Sequence, residues 1–348
     1  MTDSKQAISV NDRLRSLVGN QTSLLSIVFI VLAIVFSLTS QGKFMSVGVA
    51  STVLTDWGAF ILLAVGQTLV VISGGIDLSV GATVSLSTVT AGWVMVKGLG
   101  LDATIKGSDA WGPIALAGLV AILTGLAVGA VNATLINYFK IVPFIATLST
   151  FGAAAGFAII ISGGMPLQGP QDFSLINPIR IPGIDPKVFD TGLFSPMVLL
   201  MAIVATIVGL FLHKSKFGLY TYAIGSNAFA ARAAGINVKR HTAKIYLVSG
   251  ALAGLAGFYA YVRLGGGSPT SGTGMELYAI AATVIGGASL MGGVGRMWGT
   301  ALGTLILFTV QSGLLMSGIA PNWKQIVVAI LIAAAVAVQT LQSKNGVR

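Results

Sequence analysis

Residues 213–244 read HKSKFGLYTYAIGSNAFAARAAGINVKRHTAK, a basic and polar stretch in a chain that is otherwise strongly apolar. The 348 residues are 55% hydrophobic and only 9% charged, with a mean hydropathy of +0.90. A soluble protein of this length needs more charge to cover its surface, whereas a helical bundle surrounded by lipid does not. The 45 glycines agree, because small residues let membrane helices approach closely. The composition therefore predicts an all-α polytopic membrane protein.

Ten apolar runs could each cross about 30 Å of hydrocarbon, which takes about 20 helical residues. They lie at residues 22–40, 53–73, 78–96, 113–137, 142–162, 194–212, 244–264, 277–293, 297–317 and 323–342. This predicts a transmembrane domain over 22–342, between a tail of residues 1–21 and a short tail of residues 343–348. The long polar N-terminus favours a retained cytosolic tail over a cleaved signal peptide. Only GGID separates the second and third runs, and only glycines and Arg296 separate the eighth and ninth. Either pair could therefore hold a broken or re-entrant segment.

Basic residues are unevenly distributed between the two sides of these runs. With the N-terminus inside, 13 of the 20 Lys and Arg residues, offset by three Asp, fall on the inner side, and the outer side is about neutral. This bias predicts that both termini and the 213–244 loop are cytoplasmic. The longest outer loop, 163–193, is rich in Pro, Gly and Asp, which predicts a turn-rich connection or cap and not a helix. Because the basic residues lie in loops between apolar runs, the net charge of +10 does not indicate nucleic-acid binding.

The 213–244 loop contains AIGSNAFAARAAGINV, which predicts a short amphipathic helix ending at Gly235. Such a helix could lie in a groove of a partner protein, anchored by an apolar residue such as Phe229, and pass movement to the flanking spans. The alternative is a solvated basic loop that only sets topology. Positive-inside bias explains the lysines, but it does not explain the alanine-rich stretch that ends in glycine.

Two glycine-rich stretches resemble each other, GGIDLSVG at 74–81 and GGASLMGG at 286–293. A second similarity is the Trp-Gly pair, which occurs as Trp111-Gly112 and as Trp298-Gly299. Internal repeats with glycine-interrupted helices are a recurrent way to build a transport path at mid-membrane, although four matches in a glycine-rich chain also arise by chance. The candidate path residues here are Gly74, Gly75, Gly286 and Gly287.

Asp77 and Glu276 are the acidic candidates for the path. Asp77 lies tightly between two apolar runs, and Glu276 begins the eighth run. A carboxylate in this position is costly and is often retained for a task. The structural alternative is an N-cap, in which the Asp77 carboxylate accepts the first amide protons of a span that begins at Leu78.

Several chemistries are absent from the sequence. It has no G-x-x-x-x-G-K-[ST] phosphate loop, no Ser/His/Asp or paired-carboxylate arrangement, and no cysteine. We expect His213 and His241 to be interfacial or solvated and not to form a metal site. The apolar runs also lack the spread of acidic and basic residues typical of ion-coupled carriers. The chain is therefore expected to form a path without its own energy source, to need no cofactor and not to be an enzyme.

Taken together, these motifs resemble the permease subunits of bacterial sugar ABC importers of the ribose, xylose, arabinose and galactofuranose type. The matching stretches are GQTLVVISGGIDLSVGA (66–82), PFIATLST (143–150), YAIGSNAFAARAAGINV (222–238) and GTGMELYAIAATVIGGASLMGGVGR (272–296). The resemblance implies a multi-pass protein of the bacterial inner membrane that forms the translocation path for a monosaccharide. It also implies a second permease subunit, identical or related, a cytosolic ATP-binding-cassette ATPase at the 213–244 loop, and a periplasmic sugar-binding protein.

The resemblance also implies a coupling helix in that loop, with contacts to the ATPase at Gly225, Asn227, Phe229, Ala230, Ala231 and Gly235. In the family, an acidic residue often precedes two alanines and a downstream glycine. Here Ala230, Ala231 and Gly235 match, and Ala228 or Phe229 fills the acidic position. This departure favours an apolar contact over a salt bridge. One consequence would be a heteromeric permease whose other subunit keeps the acidic residue.

Two other functional classes are compatible with the residues. One is a self-sufficient secondary carrier or channel for a small polar solute, and the other is a membrane scaffold or receptor component. Nothing in the sequence indicates which sugar would be carried.

Overall fold

The computed structural model describes residues 21–177 and 194–320, together with residues 323, 326–331, 333 and 337. The helices are α1 (Gln21–Thr39), α2 (Val47–Ile72), α3 (Val80–Trp93), α4 (Trp111–Asn137), α5 (Pro143–Ser162), α6 (Pro196–Lys214), α7 (Lys216–Ser226), α8 (Ala228–Ala233), α9 (Val238–Leu264), α10 (Met275–Ile285) and α11 (Met297–Met316). Two short strands, β1 (Leu167–Gln168) and β2 (Gly266–Gly267), pair antiparallel.

Six helices within the described residues are long and apolar enough to cross a membrane, namely α2, α4, α5, α6, α9 and α11. Two shorter helices are also apolar, α1 and α10. The prediction of a mostly helical, multi-pass protein is therefore confirmed. Most of the last predicted run, 323–342, and residues 178–193 of the long outer loop lie outside the described residues.

Two predicted runs are shorter as α-helices than their apolarity suggests. The third run, 78–96, begins as a helix only at Val80 and continues beyond α3 as a π-helical turn. The eighth run, 277–293, is helical only to Ile285 and is followed by a loop as far as α11. The loop has no charged residue before Arg296, so the absence of charge does not mark the end of the helix.

Helix α9 lies at the centre of the bundle and packs against α4, α3 and α2. The contact with α4 is a backbone contact, because a side chain at Gly125 would collide with the carbonyl oxygen of Gly250, and one at Gly250 would collide with that of Gly125. Glycines spaced four apart let two membrane helices come this close. Gly254, one turn further along α9, makes the same kind of contact with Ala121.

The connecting segments gather at two opposite ends of the bundle. At one end, β1 and β2 join the segments after α5 and α9, and Trp111 donates a hydrogen bond to Asp172 (2.6 Å). Hydrogen bonds from Ser174 and Trp111 hold the pKa of the Asp172 carboxyl below its usual value. At the other end lie the break between α2 and α3, helices α7 and α8, and the α10–α11 loop. Helices α1, α5 and α6 leave long apolar side chains exposed between these ends, as expected of a surface in contact with lipid.

Candidate functional site

The two glycine-rich breaks meet at α7. A side chain at Gly225 would collide with the carbonyl oxygen of Ile72, the last residue of α2, and would also approach the backbone of Gly293 in the α10–α11 loop. The amide of Gly293 donates to the same Ile72 carbonyl (2.8 Å), and Gly292 lies against Gly74. The structure therefore brings one end of α7 and both breaks into one backbone-to-backbone junction.

The two breaks begin with the same capping motif. After α2, Gly74 has φ +84° and its amide donates to Val71, while the next amide donates back to Val70. After α10, Gly287 has φ +88° and repeats this pattern with Val284. Glycine adopts this left-handed conformation without strain, which explains the stop at both positions.

The sequence comparison aligned residues 74–81 with residues 286–293. The capping motifs shift this alignment by one residue. Gly74 is structurally equivalent to Gly287 and not to Gly286. Gly75 follows the cap of α2, whereas Gly286 lies against the backbone of Gly299 at the start of α11. The internal repeat remains a prediction, with the register shifted by one.

The predicted single helix in the 213–244 loop is two helices, α7 and α8. They separate at Asn227, whose side chain accepts a hydrogen bond from the amide of Ala230 (2.9 Å) and so caps α8. An Asn side chain that caps the next helix competes with continuation of the preceding one. Helix α8 ends at Ala233, and Gly235, with φ +84°, lies just beyond it as the predicted glycine stop. Phe229 is 82% exposed and Ala231 is buried, so α8 presents one large apolar side chain outward.

Helix α7 is tied to the α10–α11 loop by a further hydrogen bond. The hydroxyl of Tyr222 donates to the carbonyl of Gly295 (2.7 Å). Burial raises the pKa of the Tyr222 phenol above its usual value, although the nearby charge of Arg296 acts in the opposite direction. The phenol therefore keeps its proton and can serve as the donor. Sequence reasoning did not single out this residue.

The two histidines lie at structural contacts. His213 Nε2 accepts from the amide of Met297 (3.3 Å), which joins the end of α6 to the start of α11. His241 Nε2 lies 2.8 Å from the Thr221 hydroxyl, and its side chain is only 5% exposed. His241 is therefore buried in the protein and not solvated, because α7 folds back over the start of α9 and covers it.

Asp77 is buried in a network of hydrogen bonds. One carboxylate oxygen accepts from the amide (3.0 Å) and the hydroxyl (2.6 Å) of Ser79, and the other accepts from the hydroxyl of Ser249 on α9 (3.0 Å). The side-chain amide of Gln67 on α2 bonds both backbone groups of Asp77. The Asp77 carboxylate thus accepts an amide proton just before α3, as a cap would, and also accepts a hydrogen bond from α9. Helix α3 begins at Val80 and not at Leu78.

Helices α4 and α5 extend this network. Asn132 donates to the Ser79 hydroxyl (2.8 Å) and accepts from Thr150. The hydroxyl of Thr147 donates to the carbonyl of Ile76 in the break itself (3.1 Å). The sequence analysis missed Gln67, Ser249, Asn132 and Thr147. The only sequence signal is that each is a polar residue inside an otherwise apolar run, where a polar group needs a partner.

Glu276 lies on the other side of the first turn of α3. It is 9% exposed, its Oε2 atom has no hydrogen-bond partner among the described residues, and a side chain at Gly81 would collide with it. The segment before α10 reaches this depth by running along α3, with Gly267 against Gly92 and Gly272 against Gly81. That is about 16 Å of helix. The structure therefore brings both acidic candidates to the start of α3 and keeps both out of solvent.

The comparisons with known proteins agree with this architecture. The family described as "Branched-chain amino acid transport system / permease component" matches residues 49–336. A fructose import permease protein from Bifidobacterium longum is 36% identical over 321 residues, which is 91% of this chain and 90% of the relative. The ribose import permease protein of Escherichia coli K12 is 34% identical over 326 residues, covering 91% and 92%. The D-allose transport system permease protein of the same strain is 32% identical over 319 residues, covering 91% of each chain.

No solved structure shows significant similarity to the chain. The resemblance to sugar-importer permeases that the motifs indicated is confirmed by these relatives. They match nearly the whole length of the chain and are themselves matched over nearly their whole length. The chain belongs to the family of transport-system permease components.

Proposed function

We propose that this protein is the membrane permease subunit of an ATP-binding-cassette importer and forms the translocation path for a monosaccharide. The names of the fructose, allose and ribose permeases support the substrate class. ATP hydrolysis belongs to a different chain in this proposal, since the sequence has no phosphate loop. The protein itself is therefore a transport component and not an enzyme.

The observation that carries the proposal is the junction at Gly225. Helices α7 and α8 lie outside the six candidate spans, and α8 presents Phe229 to solvent. Through Gly225, the same helix pair contacts the end of α2 and the loop that leads into α11. A partner that moves α8 would thus act on both glycine breaks. Rigid elements joined by close backbone contacts transmit such displacements.

The proposed topology has ten crossings with both termini in the cytoplasm. The shorter helices α1, α3 and α10 and the C-terminal run 323–342 complete the six candidate spans. The end of the bundle that carries α7 and α8 is then cytoplasmic, in agreement with the basic residues of 213–244. In this proposal the protein lies in the bacterial inner membrane, and the end that carries β1 and β2 faces the periplasm with the 163–193 loop.

The proposed path runs beside the broken elements. Irregular backbone at membrane depth is tolerated where it is buried in protein or lines a water-filled cavity, and helix ends at mid-membrane are common near transport sites. The segment 265–274 and the start of α3 meet this description, and Glu276 and Asp77 lie there. The glycines at 74, 75, 286 and 287 would let these elements change position relative to α2 and α11.

The proposed partners follow from this arrangement. A cytosolic ATPase would contact α8, with Asn227, Ala230, Ala231 and Gly235 shaping the helix that presents Phe229. A periplasmic sugar-binding protein would meet the opposite end. A second permease subunit, identical or related, would cover part of the exposed apolar surface.

The test is transport by the reconstituted complex. We expect liposomes that hold this protein, its ATPase and its binding protein to accumulate a radiolabelled sugar, tested with ribose, allose and fructose. Uptake should require ATP on the side of the membrane that carries the ATPase. Liposomes with this protein alone should show no uptake with or without an ion gradient. Gradient-driven uptake by the protein alone would contradict the proposal and indicate a self-sufficient carrier.

A further inference from the structure

A recess of about 520 Å³ opens where α6, α7 and α9 meet, apart from the junction at Gly225. Its apolar part is formed by Phe211 at the end of α6 and by Leu247 and Val248 on α9, and its polar rim carries Lys216 and Lys244. The volume falls in the range of roughly 300–1,000 Å³ that is usual for small-molecule sites.

The walls of the recess are held in place by aromatic contacts. The ring of Phe217 lies between Phe211 (5.2 Å between centroids) and His241 (4.8 Å), and Tyr220 packs edge-on against His241 (5.8 Å). The bond between His241 and Thr221 fixes the imidazole. The recess is therefore bounded by helical residues that contact one another.

The charge at the rim has one sign. Lys216 and Lys244 are exposed, and neither has a carboxylate partner among the described residues. The whole stretch 213–244 contains no acidic residue. Two unpaired ammonium groups at one edge of a pocket therefore favour an anionic ligand, and in particular a phosphate group.

The apolar part continues onto the surface in contact with lipid. Ile203, Ile207 and Leu210 lie along α6 toward Phe211, and all four side chains are exposed. A ligand that places its anionic group between the lysines would thus have an apolar track along α6 for a hydrocarbon chain. Lysines near the ends of membrane helices reach toward the interface, which is where lipid head groups lie.

We propose that this recess binds one anionic phospholipid, with its phosphodiester between Lys216 and Lys244 and an acyl chain along α6. The proposal does not depend on which solute the protein carries. It requires only that α6 and α9 cross the membrane. A lipid in this position would contact Lys216, Phe217 and Tyr220 on α7, and so would stabilise the helix whose Gly225 contacts both glycine breaks.

The test measures lipid binding to the full-length protein after delipidation in detergent, by native mass spectrometry with added phosphatidylglycerol, phosphatidylcholine or inorganic phosphate. We expect one phosphatidylglycerol to be retained in preference to phosphatidylcholine. The double variant Lys216→Gln/Lys244→Gln should bind it on the order of tenfold more weakly. Lys239→Gln/Arg240→Gln removes the same charge nearby and should change binding little, and Lys216→Arg/Lys244→Arg should retain it.

Three results would overturn the proposal. They are equal binding of the two lipids, equal loss of binding in both Gln double variants, and displacement of the lipid by inorganic phosphate at similar concentration. The last result would identify a site for free phosphate. A photoactivatable phosphatidylglycerol on the unmodified protein gives a readout that needs no variant. Cross-links should map to peptides that contain 211–220 and 241–248, and cross-links confined to other helices would also contradict the proposal.

Discussion

The backbone of Gly225 on α7 lies directly against the carbonyl group of Ile72, the last residue of α2. The amide of Gly293 bonds to the same carbonyl (2.8 Å). Three separate parts of the chain are therefore joined with no side chain between them. This contact connects the exposed α7–α8 pair to the interior of the bundle through backbone atoms.

Substitution of Gly225 tests this connection. A methyl group in Gly225→Ala would collide with backbone atoms, which cannot rotate away as a side chain can. We expect a loss of about 1–3 kcal/mol in the free energy of unfolding, and reduced sugar uptake by the reconstituted complex. Gly152→Ala on α5 is the control, because a Cβ there would meet open space, and its effect should stay within about 0.5 kcal/mol. Equal effects of the two substitutions on unfolding would contradict the close contact.

Two substitutions at neighbouring residues test the role of α8. Phe229→Glu should abolish ATPase-coupled uptake without reducing thermal stability, because the side chain is 82% exposed and supports little of the fold. Ala228→Glu adds the same charge one residue earlier, in the first turn of α8, where the helix dipole favours it. Because Ala228→Glu leaves the exposed Phe229 side chain in place, uptake should persist. Uptake and ATPase co-purification measure both variants, and normal coupling in Phe229→Glu would exclude an apolar anchor.

A double-mutant cycle tests the network around Asp77. Ser249→Ala removes the donor of the bond between the α2–α3 break and α9, and Asp77→Asn replaces its charged acceptor with a neutral amide. Because both groups are buried, we expect a coupling energy of about 0.5–3 kcal/mol between the substitutions in denaturant unfolding. Additive losses would mean that the two residues act independently. Loss of uptake in Asp77→Asn at unchanged stability would favour a role of the carboxylate in the path itself.

Cysteine accessibility tests the proposed topology. The chain has no cysteine, so each introduced thiol is the only one present. Phe229→Cys and Met165→Cys place it at opposite ends of the bundle, on side chains that are 82% and 69% exposed. In intact cells with a permeabilised outer membrane, an impermeant maleimide should label residue 165 and not residue 229. The reverse pattern would place α8 outside and would contradict the assignment of the ATPase contact.

The contact between α4 and α9 predicts a strong effect of a larger residue. Gly250→Leu would force the two backbones apart where each glycine lies against the carbonyl oxygen of the other. We expect most of the variant to be lost to aggregation or to elute as misfolded protein in size-exclusion chromatography. Gly152→Leu, at a position with open space, should express and elute normally. Normal folding of Gly250→Leu would show that the helices can separate at little cost.

Local signals were enough to predict several features of the site. The glycine stop at Gly235 can be recognised from the neighbouring residues alone, and the same holds for the glycine stop after α2. Phe229 could be chosen from sequence because it is the one large apolar residue between Asn227 and Gly235. By contrast, the division into α7 and α8 depends on the side chain of Asn227, which could equally have pointed to solvent.

Long-range packing decided the rest. Asp77 accepts a hydrogen bond from Ser249, which lies 172 positions later in the sequence, and no local pattern identifies that partner. The loop after α10 packs against Gly225, Gly74 and Ile72, and no local pattern identifies these contacts. His241 is covered by a helix that begins 25 residues before it.

The amino-acid composition alone was sufficient to show that most of the chain leaves water as helices, since apolar side chains and the need to satisfy backbone hydrogen bonds in lipid allow few other solutions. Its motifs were sufficient to indicate the permease family. Which helices touch, which carboxylates are buried, and how the exposed α8 connects to the glycine breaks were decided only by the folded structure. The physical reason is that apolarity specifies transfer out of water but not the partner, and here the partners are set by backbone contacts at glycines and by hydrogen bonds between distant polar residues.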